Sequence, residues 1–103
     1  MVVVSVLYPA TAGAKFDAAY YDVTHIPMVK DAFTATGLTD VKVFHGLSAA
    51  DGGPAPFVAM AHLTFESPEA LGASLGGPRG DEIRADVVNF TDIQPVIQVS
   101  ALG

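Results

Sequence analysis

Apolar and polar positions along this chain follow two periods, and the switches between them mark its elements. Residues 2–8 (VVVSVLY) are nearly all apolar or β-branched and close at Pro9, the pattern of a strand buried on both faces and central in its sheet. Small residues at 9–14 make a turn. In 16–37 (FDAAYYDVTHIPMVKDAFTATG) the period changes: Phe16, Ala19, Tyr20, Val23, Ile26, Val29 and Phe33 recur mostly at three- and four-residue steps, predicting an amphipathic helix stopped by Gly37. Asp17 suits the positive helix N-terminus. Pro27 removes a backbone donor in mid-pattern and biases Ile26 away from helical angles, so a kink is expected between His25 and Pro27.

Alternation then resumes. Residues 41–47 (VKVFHGL) place Val41, Val43, His45 and Leu47 on one side of a strand and Lys42, Phe44 and Gly46 on the other. After a loop at 48–56, residues 57–66 (FVAMAHLTFE) divide into an apolar side, Phe57, Ala59, Ala61, Leu63 and Phe65, and a mixed side, Val58, Met60, His62, Thr64 and Glu66. Ser67 as N-cap and Pro68 at the first position open a second helix, which Gly76 and Gly77 end. Residues 81–88 read as a short helix or its continuation. The last strand, 93–101, carries Pro95, which cannot donate to a ladder and assigns that strand to an edge or its proline to a bulge. The order β-α-β-β-α-β is the split βαβ arrangement of an α+β, ferredoxin-like fold with a four-stranded antiparallel sheet.

Two helices cover one face of such a sheet and leave the other bare. The strands are not cleanly polar on either side, so a self-complementary contact with a second copy is expected, and the chain is predicted to form a homodimer. With 103 residues, half of them apolar, it has enough material for one domain, 1–103, and one core. A net charge of −6, with five basic residues scattered singly, argues against nucleic-acid and anionic-membrane partners. The absence of cysteine rules out disulfides, thiolate zinc sites and a Cys nucleophile. The opening MVVVSVLYP lacks the basic start and long apolar core of a secretory signal, which makes a cytoplasmic location the expectation.

The ionisable candidates are His25, His45 and His62, all placed in elements, with Tyr8, Tyr20, Tyr21, Asp17 and Asp22 near them in sequence or in space. Imidazole titrates near neutrality and serves as acid or base without a cofactor. Asp22, about one turn before His25, is spaced to hold its imidazole proton. The three histidines lack short metal-ligand spacing, so no metal site is expected. The Gly76-Gly77-Pro78-Arg79-Gly80 run lacks the Lys-Ser/Thr and preceding strand of a phosphate loop, and no serine has a nucleophile-elbow context.

The run YYDVTHIP resembles the signature of the EthD family, and the likeness extends through VLYPATAGAKFDAAYYDVTHIPMVK, PFVAMAHLTFES and ADVVNFTDIQPVIQVS, nearly the whole chain. The resemblance implies the dimeric α/β-barrel version of the ferredoxin-like fold. It also implies proton transfer on a small, planar, carbonyl-bearing substrate, without metal or organic cofactor, and directs the role first to His25. The expected protein is therefore a cofactor-independent isomerase or lyase in a degradation or biosynthetic pathway. Its substrate is a small aromatic, lactone or polyketide-like carbonyl compound. His25 moves the proton, His62 or His45 assists, and Tyr20, Phe44 and Met60 form an apolar binding wall. The alternative is a noncatalytic accessory protein that holds a small hydrophobic metabolite for a partner oxygenase.

Overall fold

The computed structural model describes residues 1–103. Strands β1 (Val2–Pro9), β2 (Leu38–His45), β3 (Phe57–Phe65) and β4 (Val96–Ala101) form one antiparallel sheet in the order β2-β3-β1-β4. A first helical segment runs as α1 (Ala18–Tyr20), a π turn (Tyr21–His25) and α2 (Ile26–Phe33); α3 (Pro68–Leu75) and α4 (Pro78–Asp86) follow β3. The helices lie on one face. Along β3 the apolar side Ala59, Ala61, Leu63 and Phe65 is buried beneath them, whereas Met60, His62 and Thr64 stay partly exposed.

Burial on β1 is one-sided: Val4 and Tyr8 are buried, but Val3, Ser5 and Leu7 are only half-buried. The expectation of burial on both faces fails because no layer covers the second face. Strand β1 is nonetheless central, between β3 and β4. Strand β2 starts at Leu38 rather than at residue 41, because Gly37 adopts a left-handed φ of 110° and turns the chain straight into the ladder. Strand β4 starts at Val96, immediately after Pro95, and forms an edge.

The kink expected near Pro27 takes the form of the π turn. Ile26 N–H bonds back to the carbonyl of Tyr21, one residue further than in an α-helix, and Pro27 then sits in the first turn of α2, where its missing donor costs nothing. The added residue rotates the helix phase. Val23, expected on the buried face, is 75% exposed, while Tyr21 and His25 turn inward.

Gly37 also packs closely. A side-chain carbon there would collide with the Cβ of Ala70 on α3. Gly37→Ala is expected to destabilise the fold by about 1–3 kcal/mol, from backbone strain and overpacking. Urea unfolding would check this, and an unchanged midpoint would contradict it.

Candidate functional site: a buried histidine–aspartate pair beside a cavity

The chain closes on itself around the π turn. The segment after α4 docks against the start of the first helix: Asp17 N–H donates to Phe90 O at 2.8 Å, and Thr91 Oγ1 donates to Lys15 O at 2.6 Å. Phe90, wholly buried, then meets Tyr8, Phe16, Tyr21 and His25, with ring centroids 4.6–5.8 Å away. His25 is 4% exposed and stacks on Tyr21 with 17° between the planes.

The His25 ring is held from α4. Its Nδ1 lies 2.8 Å from Oδ2 of Asp86, whose other oxygen accepts from the Tyr20 hydroxyl at 2.7 Å and from Asn89 Nδ2 at 2.9 Å. Burial by itself would raise the Asp86 carboxyl, but the hydrogen bonds from Tyr20, Asn89 and His25 outweigh it and hold the group below the usual carboxylate range. An ionised carboxylate can only accept, so Nδ1 carries the proton. In the neutral ring the lone pair is then on Nε2.

Nε2 has no hydrogen-bond partner in the chain, yet no fully buried side-chain nitrogen or oxygen is orphaned, so this atom keeps an opening. His25 borders a cavity of about 130 Å³ between sheet and helices. Its walls are mostly aliphatic, with Val4, Val6, Val29, Leu63 and Ile97 among them, and Tyr8 and Tyr21 also line it. Burial pushes the Tyr8 hydroxyl up to about 12, and burial together with Tyr8 and Asp22 pushes Tyr21 higher still.

The other residues singled out in the sequence go elsewhere. Asp22 does not hold His25: the π turn directs it to His45, whose Nε2 is 2.9 Å from both carboxylate oxygens on the exposed edge of β2. His45 lies edge-on to Tyr21 but is not part of the cavity wall. His62 is on the bare face, where its Nδ1 is 2.8 Å from Ser5 Oγ and Phe44 lies against it, and Met60 shares that face. The structure therefore does not bring His62, Phe44 or Met60 beside His25. Tyr20 is not an apolar wall; it donates to Asp86. Tyr8 and Tyr21 stood among the ionisable groups of the sequence without a role, whereas Asp86 and Phe90 were missed. Tyr8 had a signal, since it continues the Val4, Val6 side of β1, whereas Asp86 offered only an isolated acid in the apolar run ADVVNF. No group of three or more His, Asp or Glu side chains is arranged to hold a metal ion. No helix is long and apolar enough to cross a membrane.

Fold and site together define a ferredoxin-like α+β protein with an ionisable pair buried beneath its helices. The chain belongs to the EthD family, whose domain matches residues 10–94. An EthD-like protein from Ralstonia eutropha JMP134 is 42% identical and superposes with a TM-score of 0.88, over 96% of this chain and 88% of that one. An EthD family protein from Bacillus halodurans C-125 is 20% identical, with a TM-score of 0.80 over 100% and 99% of the two chains. A hydroxynitrile lyase from Passiflora edulis shares the fold at 13% identity and a TM-score of 0.71, over 99% and 94%. Comparison with curated proteins gives no match.

Because the folded Asp86 carboxyl lies below its ordinary value near ~3.9, its contribution to stability is complete above that value and is lost as pH falls through the folded one. The stability gap between the wild type and Asp86→Asn should thus be constant above about pH 5 and shrink below about pH 4. Urea unfolding across pH would measure it. An equal gap at about pH 3 and about pH 6 would contradict an ionised Asp86.

Proposed function

We propose that this protein is a cofactor-independent isomerase or lyase in which His25 moves a proton on a small aromatic, lactone or polyketide-like carbonyl compound. One observation carries the reading: an imidazole whose Nδ1 is fixed by an ionised carboxylate, and whose Nε2 is unpartnered at the edge of an apolar cavity. The carboxylate orients the ring and stabilises the imidazolium formed when Nε2 takes a proton. A lyase among the proteins that share the fold is compatible with such chemistry. Asp86 acts as a positioning residue, Tyr20 and Asn89 orient it, and His45 fixes the π turn through Asp22. A simple ligand carrier, the alternative, needs a cavity but no buried histidine–aspartate pair.

Deuterium incorporation from heavy water into a panel of small cyclic ketones and lactones, followed by proton NMR, tests the reading. His25→Ala should keep the fold and lower the exchange rate by about a hundredfold or more. Saturable binding with no exchange in the wild type would favour the carrier instead, and loss of folding in His25→Ala would assign His25 to the framework.

We further infer that the working unit is a homodimer formed through the bare face. In register across it stand an apolar row, Phe44, Met60, Leu7 and Val96, and a polar row, Lys42, His62, Ser5 and Gln98. Phe44 and Val96 are 47% and 52% exposed, and β4 is an edge without a charged residue. Such a surface is stable in water when a like surface covers it, and under this reading Phe44, Met60 and His62 serve the contact. Sedimentation at micromolar concentration should give a dimer, and Phe44→Asp should shift it toward monomer. A monomeric wild type would refute the inference.

A further inference from the structure

Tyr8 and Tyr21 come from different elements, the end of β1 and the π turn, and both line the cavity that His25 borders. They are 2% and 1% exposed. A buried tyrosine hydroxyl normally finds a hydrogen-bond partner. Tyr20 does so at Asp86, but neither Tyr8 nor Tyr21 bonds any group of the chain. Neither hydroxyl is sealed off, since no fully buried polar side-chain atom is orphaned. Tyr8, Tyr21 and His25 all border the cavity, whose other walls are mainly aliphatic. Together they bring two donors and one acceptor that have no partner in the chain.

Resting on the reading that His25 moves a proton, we propose that Tyr8 and Tyr21 form an oxyanion cradle for a single-ring ketone or lactone that reacts through its enolate. Nε2 of His25 takes the proton from the carbon next to the carbonyl. The C–H electron pair becomes the new carbon–carbon double bond, and the carbonyl π pair moves onto oxygen, where both phenols donate hydrogen bonds. When the ring also carries a carbon–carbon double bond conjugated with the enolate, the oxyanion pair re-forms the carbonyl, the double bonds shift, and the remote carbon takes the proton back from Nε2, an isomerisation with no other reactant. Burial raises both phenols well above neutrality, so they remain donors throughout the working range. Size points to the class: about 130 Å³ is close to the ~150 Å³ of an apolar cavity known to hold benzene, a match to one six-membered ring.

The test uses 2,6-difluorophenol, a single-ring phenolate at mildly alkaline pH and so a mimic of the enolate, titrated against the whole protein by fluorine NMR. Saturable binding is expected in the wild type. Tyr8→Phe and Tyr21→Phe, which preserve the packed rings, should each weaken it by about tenfold. The anion of 1,3-difluoro-2-naphthol, a fused-ring phenolate with the same flanking fluorines, should not compete. No binding by the wild type, binding by both single variants as tight as that of the wild type, or competition by the fused-ring phenolate would overturn the proposal. Proton exchange that needs His25 but survives both Tyr→Phe changes undiminished would remove the cradle and leave the function proposed above. Tyrosine-dependent binding with no exchange on any ring carbonyl would remove that function and support the cradle as a binding site.

Discussion

A carboxylate taken out of water must be solvated by the protein itself, and Asp86 imposes that demand on this chain. It ends α4, where the helix dipole is negative and a second negative charge is unwelcome. Removing such a group from water costs several kcal/mol unless donors replace the lost hydration. The three donors come from α1, the π turn and the segment after α4, so satisfying one carboxylate ties the last helix to the first. The histidine is oriented as a result. Phe90, in that connecting segment, packs its buried ring against those of His25 and Tyr21.

The π turn is the local device that makes this geometry available. A regular helix through Pro27 would leave a carbonyl without its donor and would direct His25 away from the core. Widening one turn absorbs the proline and brings Tyr21 and His25 to the same side, stacked on each other. The same turn sends Asp22 outward, where the exposed His45 meets it on β2. One extra residue per turn therefore assigns two histidines to different environments. One is buried with a fixed tautomer, and the other is solvated at the edge of the sheet.

The sheet divides its labour by parity. On the helix side, Val6 pairs with Ala61, and this small alanine borders the void next to the tyrosine and histidine rings. Protein interiors are close-packed, so a void lined by unpartnered polar groups is a feature that the fold could have filled with larger side chains. On the other side the same strands present Leu7, Met60 and Phe44 in a row, with Ser5 and His62 hydrogen-bonded next to it. Chemistry and surface are thereby segregated on opposite faces of a single layer.

Much of this was legible in the residues. Periodicity marked all four strands, Ser67 and Pro68 marked the start of α3, Pro95 marked the edge strand, and Pro27 marked a break in the first helix. These are local signals, governed by side-chain direction and backbone donors a few residues apart. Alternation placed His62 on the mixed side of β3, a parity that the expectation of His62 assisting His25 set aside. The sequence by itself determined the order of elements, the antiparallel split βαβ arrangement and the break in the first helix beside His25. Only the tertiary structure decided that His25 is held by Asp86, 61 positions away, rather than by Asp22 three positions before it. A polar contact between distant elements has no period to reveal it, and the choice between two nearby carboxylates depended on a single wide helical turn.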